Sequence, residues 1–471
     1  MATYEEEYAR AKVNGQEHIF RFWNELSETE QQKLLSQAST IDYNLVRRLF
    51  ENKDKDFHDP NSKITPPDIF SKYDQGPGRD EALEIGEKTI EEGKVACFTV
   101  AGGQASRLGY DGPKGCFPAT PITKKPIFQV LAEYILAAEK RYHCELQWYI
   151  MTSKSNDAAT KASFDKHDYF GLSSNQVFFF TQGMLPAVDE NGKIFLKDKD
   201  EIFMSPNGTG GIYDAFVKSG SLKRMQQNGI EYLFYVQIDN PLIGFVDPLF
   251  LGNHIHNGAQ MSTKVVEKTY PEEKVGLVVK KDGKTDMVEY MDLSSEMANE
   301  RTEDGRLKYN AANIAMHVIN TALIEKVQDQ DLLPYHIANK KVPFIDENGE
   351  PVDPESKNGY KFERLVFDIL PLTENSVTFM VRREEEFAPI KNASGKDSPE
   401  TARKLQIALY KEWLEAAGID KDIIKNLDTV EVSPLFAYGK EEFVRKVRPD
   451  TPTWNEQLKG KKEYVFDEAT S

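Results

Sequence analysis

The stretch FTVAGGQASRLGYDGPKG, Phe98 to Gly115, passes from an apolar run into paired glycines. It then spaces two cations, Arg107 and Lys114, through a Gly/Pro-rich loop. Glycines let a backbone approach a ligand closely, and spaced cations with backbone N–H groups are the usual way to hold a phosphate chain. Two familiar phosphate motifs are excluded, because the stretch contains neither G-x-x-x-x-G-K-[ST] nor G-x-G-x-x-G. A structural strand–helix turn flanked by surface cations would use the same residue types, so both readings stay open on this stretch alone. Asp239 is a second candidate. It follows the apolar run YLFYVQI, and a carboxylate at the end of a buried strand is costly unless paired or bound to metal. Mg²⁺ takes one or two carboxylates and completes its shell with phosphate and water. Capping of the turn at Asn240-Pro241 is the alternative role. His254 and His256, in GNHIHNG, have no third ligand at suitable spacing and read as a helix end.

The elements that must position these residues come from hydrophobic pattern. VACFTV, LQWYIMTS, QVFFFTQG and YLFYVQIDN are short, near-continuous apolar strands. Helices alternate with them: IFQVLAEYILAAEKRY places Ile127, Val130, Leu131, Tyr134, Ile135 and Ala138 at helical spacing, and Ser155 is the expected cap of SNDAATKASFDKH. This alternation predicts a parallel α/β sheet covered on both faces, which binds ligands along the carboxyl ends of its strands. Those ends turn polar each time, at Gly102 and Gly103, Thr152 and Ser153, Thr181 and Gln182, and Asp239 and Asn240. Further on, Asp282-Gly283 is a hairpin signal, AANIAMHVINTALIEKV and ERLVFDIL extend the sheet region, and SPETARKLQIALYKEWLEAAG is helical. In the first part of the chain, Ser27 and Glu30 form a capping box, NKDKDFHDPNSKITPPDIF is a connector, DQGPGRD is a second break, and DEALEIGEKTIEEG is a helix. The expected organisation is a helical region over 1–92, a Rossmann-like domain over 93–385 and a small C-terminal domain over 386–471.

At 471 residues the chain calls for two or three domains. With 39% hydrophobic and 11% aromatic residues it can bury a sizeable core. A net charge of −17 without a basic run argues against nucleic acid and anionic membrane as partners. No run of 18 apolar residues occurs, and the acidic start MATYEEEYAR is no signal peptide. Three cysteines, Cys97, Cys116 and Cys144, without CxxC spacing argue for reduced thiols and a cytoplasmic setting.

The order Ala-Gly-Gly-x-x-x-Arg-Leu-Gly followed by Pro-Lys-Gly resembles the signature of the eukaryotic UDP-sugar pyrophosphorylases. WYIMTS, QGMLPA, SPNGTGGIYDAF, VQIDNPL, EKVGLVV, MVEY, NAANIAMH, YHIANKKVP, VFDIL and FAPIKNASG follow in the same order. VGLVV, VEY, NIAMH and FAPIKNA resemble the UDP-N-acetylhexosamine branch more than the UDP-glucose branch. The resemblance implies a Rossmann-like nucleotidyltransferase with a mostly parallel mixed sheet. It implies a cytoplasmic enzyme that converts MgUTP and N-acetylglucosamine 1-phosphate to UDP-N-acetylglucosamine and pyrophosphate, as monomer or homodimer. The sugar-phosphate oxygen would attack the α-phosphorus directly, without a protein nucleophile.

By the same resemblance, Arg107, Lys114 and Lys391 would be catalytic cations. Arg107 would hold the leaving pyrophosphate, Lys114 the α-phosphate, and Lys391 the sugar-phosphate side. Ala101, Gly102, Gly103, Gln182, Pro206, Gly208, Thr209 and Gln237 would line the nucleotide, with Gln182 reading uracil and Gly208 admitting base or ribose to the backbone. Asp239 would hold Mg²⁺ and lie on the sugar side with Gly276, Glu289, Asn313, Lys361 and Phe367, whose ring would wall the N-acetyl pocket. Phe367 would equally suit a buried strand in RLVFDIL. The chain departs from the usual pattern at Asn207, Thr209, Gln237 and Leu365; Thr209 would mark a lost ligand contact, with loop glycines leaving room for water.

Overall fold

A computed structural model of the chain describes residues 3–54, 62–290, 292–328 and 333–468. The four apolar runs form strands at Val95–Val100, Gln147–Thr152, Val177–Thr181 and Tyr232–Gln237. They lie side by side in parallel, with Tyr232–Gln237 next to Val95–Val100. Beyond Tyr232–Gln237 the sheet continues through Ala311–Asn320, Met261–Glu267, Ser376–Met380 and Ile69–Ser71. Only Ala311–Asn320 runs against its neighbours along this path. The carboxyl ends of the other strands therefore share one edge, where Gly102, Asp239 and Lys268 follow their strands.

The chain divides into two compact units. One comprises Met1–Ser62, Gln182–Ala215 and Gln330–Asp368; the other comprises Lys63–Thr181, Phe216–Asp329 and Ile369–Ser471 and holds the large sheet. The segments 1–92, 93–385 and 386–471 divide the chain by order, whereas both compact units are discontinuous. In the first unit, helices Tyr4–Val13, Glu28–Ala38 and Tyr43–Glu51 share a core with Val188, Ile194, Leu196 and Phe362 from short antiparallel sheets. The Ser27–Glu30 capping box forms as expected.

In the second unit, helix Ile127–Tyr142 buries Ile127, Val130, Leu131, Ile135 and Ala138. Asp282 and Gly283, with φ of 51° and 83°, join strands Leu277–Lys281 and Lys284–Val288 in a two-residue hairpin loop. Helix Pro399–Ala417 is capped by Ser398 and ends on Gly418 in the left-handed region.

Three local expectations are corrected. Ser155 does not cap the helix Asp157–Lys166; the cap residue is Asn156, whose side chain turns away from the helix. RLVFDIL is no strand: Val366–Leu372 is a 3₁₀-helix, because the Asp368 carboxylate accepts from the Leu365 N–H and closes a turn. The connector carries sheet structure, since Ile64–Thr65 pairs with Leu277–Lys281 and Ile69–Ser71 with Ser376–Met380; its residues 55–61 lie outside the described residues.

Helix Pro77–Glu91 packs backbone to backbone on helix Pro248–His256. A Cβ on Gly86 would run into the Pro248 carbonyl, and one on Gly252 into the Ala82 carbonyl. Neither clash can be relieved by turning a side chain. Helix propensity alone favours alanine over glycine by about 1 kcal/mol, yet overpacking costs about 1–3 kcal/mol. Gly252→Ala is therefore expected to lower unfolding free energy by about 1–3 kcal/mol in urea denaturation. A rise would contradict this close helix contact.

Candidate active site

The glycine turn is held from beneath. Ala101 is fully buried and donates its N–H to the Met151 carbonyl at 2.8 Å. Asn156, also fully buried, donates its amide to the carbonyls of Ala101 (2.8 Å) and Gly103 (3.2 Å). Its own oxygen accepts from the Ser153 N–H and hydroxyl. The loop then closes on itself: the Lys114 N–H reaches the Gly103 carbonyl at 3.1 Å and the Ala105 N–H the Gly112 carbonyl at 3.0 Å. Gly115 lets the Phe128 ring lie where a Cβ would stand, which fixes Lys114 against the helix behind it. Gly103 is exposed, with open space where its side chain would be, and Arg107 is exposed on the 3₁₀ turn Ser106–Leu108.

Asp239 lies two residues beyond its strand, in the turn rather than on the strand end. Its carboxylate is 3.9 Å from the Lys114 ammonium and 4.0 Å from that of Lys391. Its backbone carbonyl accepts from the Ile390 N–H at 2.8 Å, so the Lys391 segment is tied to the same turn. Burial pushes the Lys114 amine below the ordinary lysine range; Asp239 opposes this, while Lys391 and Arg107 add to it. Three cations thus share one field with one carboxylate, an arrangement suited to a polyanion. Gln237 ends the strand, with its amide leaning on the Tyr235 hydroxyl at 3.3 Å.

Gly276, Glu289 and Asn313 also gather in this unit. The Asn313 N–H donates to the Gly276 carbonyl at 2.9 Å, and the Cβ position of Gly276 is 3.7 Å from the Glu289 carboxylate. The pairing of Met261–Glu267 with Ala311–Asn320 shifts register between Thr263 and Val265. Ala315 sits there with φ of 57°, and its N–H donates to the Asn313 side-chain oxygen. Such bulges re-aim side chains.

The remaining expected residues belong to the first unit. Gln182 donates its amide to the Gly208 carbonyl at 2.7 Å, beside Pro206. Gly208 is partly exposed, and on its Cβ side the chain itself lies close: a Cβ there would meet the Arg364 carbonyl, and φ is +83°. Gly210 meets the same segment, and its N–H donates to the Arg364 carbonyl. These glycines admit backbone, not water. The Thr209 hydroxyl accepts from the Val366 N–H at 3.0 Å, so Thr209 makes a contact of its own within the chain. Phe367 is half-buried in the 3₁₀-helix. Lys361 stands on strand Gly359–Glu363 with its ammonium 4.9 Å from the centre of the Phe203 ring.

Reasoning from sequence missed the two asparagines that hold the turns. Asn156 goes unremarked beside the expected cap Ser155, and Asn240 reads as part of a turn, although its amide donates to the Glu386 carbonyl. His254 is hydrogen-bonded through both ring nitrogens, to Ser262 and Asn320, and burial pushes its pKa down to about 4. Among the described residues no helix is long and apolar enough to cross a membrane.

The chain resembles known proteins over most of its length. The chain is 38% identical over 430 residues to the UDP-N-acetylhexosamine pyrophosphorylase-like protein 1 of Xenopus tropicalis, covering 87% of this chain and 84% of that protein. It is 36% identical over 453 residues to the UDP-N-acetylglucosamine pyrophosphorylase of Saccharomyces cerevisiae, covering 91% and 94%. The crystal structure of the uridine diphosphate N-acetylglucosamine pyrophosphorylase from Trypanosoma brucei in complex with inhibitor is similar with a TM-score of 0.86 at 27% identity, covering 100% of this chain and 99% of that one. Residues 43–430 match the family described as UTP–glucose-1-phosphate uridylyltransferase, and the chain belongs to that family.

Proposed function

We propose that this protein transfers uridylyl from MgUTP to N-acetylglucosamine 1-phosphate, giving UDP-N-acetylglucosamine and pyrophosphate. The observation that carries the reading is the gathering of Lys114 and Lys391 about Asp239, with Arg107 in the same field. An oxygen of the sugar phosphate attacks the α-phosphorus of UTP, and the bond from that phosphorus to the bridging oxygen of pyrophosphate breaks. The two substrates together bring about six negative charges. Catalysis of such a step is mainly alignment and charge stabilisation.

Lys114, the more buried amine, suits the α-phosphate, where charge develops. Lys391, about half exposed, comes within 4.0 Å of the same Asp239 oxygen and suits the incoming sugar phosphate. Arg107, on the exposed turn, suits the departing pyrophosphate. The open face of Gly103 leaves the backbone accessible to the nucleotide. Gln182, with its amide on Gly208, has its carbonyl end left to meet the uracil edge. Gly276, Glu289 and Asn313 suit the hydroxyl and acetamido groups of the sugar. The relatives named for N-acetylglucosamine favour that sugar over the glucose of the family description.

Asp239 fits a magnesium site. Its carboxylate stands at the long end of ion-pair distance from both amines, so its oxygens keep lone pairs for a hard cation. Among the described residues no cluster of three or more such ligands forms, so phosphate oxygens and water would complete the shell. When bound, Mg²⁺ supplies charge neutralisation on the phosphates. The setting of this activity is the cytoplasm.

Pyrophosphate release from UTP, Mg²⁺ and a panel of N-acetylglucosamine, N-acetylgalactosamine, glucose and galactose 1-phosphates tests the proposal. Release is expected to be fastest with N-acetylglucosamine 1-phosphate and to vanish when EDTA removes the metal. Absence of release with every sugar would overturn the proposal, and a preference for glucose 1-phosphate would overturn its choice of sugar.

Lys114→Ala is expected to lower kcat by roughly 10²–10³, the scale of one transition-state donor. Its unfolding midpoint is expected to hold, because the ammonium is already disfavoured by burial and by its cationic neighbours. Turnover within about threefold of the parent would remove Lys114 from the reaction.

A further inference from the structure

We infer that Asn240 is a positioning residue that sets Lys391 opposite Asp239; the inference rests on the function proposed above. Asn240 is 3% exposed, and its side chain makes three hydrogen bonds. The amide nitrogen donates to the Glu386 carbonyl at 2.6 Å. The amide oxygen accepts from the N–H groups of Ala388 at 3.0 Å and Leu242 at 3.2 Å. It thus grips the segment ahead of Lys391 at two points and its own turn at a third. The neighbouring bond from the Ile390 N–H to the Asp239 carbonyl completes the splice.

The far side of the segment is equally fixed. The Lys391 N–H donates to the Asp397 carbonyl at 2.7 Å, closing a loop whose Gly395 and Asp397 have φ of 75° and 54°. Upstream, the Glu386 carboxylate is 3% exposed and bridges Lys264 at 2.6 Å and Lys72 at 2.8 Å. Lys264 is fully buried and also holds Asp247 at 2.6 Å. A lysine side chain is long and flexible, and that of Lys391 is 52% exposed. Its charge stays near Asp239 only if its backbone does. No aliphatic residue offers both the donor for Glu386 and the acceptor for Ala388. Asparagine next to Asp239 places both within the turn that carries the carboxylate.

The experiment compares Asn240→Ala, Lys391→Met and the double variant. It measures kcat, KM for UTP, KM for N-acetylglucosamine 1-phosphate and the unfolding midpoint. Asn240→Ala is expected to lower kcat/KM for the sugar 1-phosphate by roughly 10- to 100-fold, the scale of a misplaced catalytic group, with little change in KM for UTP. The double variant is expected to match Lys391→Met within about threefold, because Asn240 acts through Lys391. Losses that multiply, or kinetics of Asn240→Ala that match the parent at a lowered midpoint, would overturn the inference.

Should the alanine variant not fold, Asn240→Ser, which keeps one acceptor, takes its place with the same expectations. Amide hydrogen exchange gives a readout independent of turnover. The peptide spanning 386–391 is expected to lose protection in the Asn240 variant while Val95–Val100 keeps its own; unchanged protection of 386–391 would overturn the inference. An inactive parent would defeat the proposed function, and exchange would still decide whether Asn240 holds this segment.

Discussion

One carboxylate oxygen faced by two ammonium groups is the constraint on which the site in the large unit depends. Lys114, Lys391 and Arg107 carry like charge and act on one another across a partly buried edge. Asp239 opposes that charge. Such a cluster costs free energy to assemble, so the backbone must hold it. Each member therefore arrives on a segment fixed by buried polar groups: Lys114 on the loop clamped by Asn156, Asp239 on the turn beside Asn240, and Lys391 on the stretch spliced to that turn. A substrate that brings phosphate charge offsets the mutual repulsion of these cations, and so binds where the fold has already ordered them.

The sheet explains how distant segments meet. Val95–Val100 and Tyr232–Gln237 are neighbours in parallel, with Gln237 opposite Val100. Their carboxyl ends deliver the glycine turn and Asp239 side by side. Met261–Glu267 and Ser376–Met380 run in the same direction beyond the antiparallel strand, and the chain after Met380 returns to the same edge with Lys391. At the bulge of the reversed strand the Ala315 N–H holds the Asn313 side-chain oxygen, while the Asn313 N–H donates to the Gly276 carbonyl.

Much of this was legible in the residues. The apolar runs place the parallel strands, and Ile127–Tyr142 forms over the span its spacing predicts. Asp282-Gly283 turns as a left-handed pair must. Arg107, Lys114, Asp239 and Lys391 were legible as candidates, the last through family resemblance. What escaped was set by tertiary contact. RLVFDIL has the composition of a strand, but the Asp368 carboxylate on the Leu365 N–H curls it into a 3₁₀-helix. Gly208 looks like a glycine kept for a ligand, and nothing in the sequence shows that Arg364 also packs against its Cβ side. Nothing local singles out Asn156 or Asn240, and only the fold reveals which distant carbonyls they hold. The bulge at Ala315 leaves no mark in the alternation of its strand.

The account holds that this site works by placing charge around a direct displacement, with no group of the protein bonded to the uridylyl moiety on the way. The stereochemical course at phosphorus tests that claim most directly. With UTP carrying a single sulfur of defined configuration on its α-phosphorus, the UDP-sugar product is expected to have inverted configuration, as one in-line displacement requires. Retention would mean two displacements through a covalent uridylyl-protein intermediate, and would contradict the account.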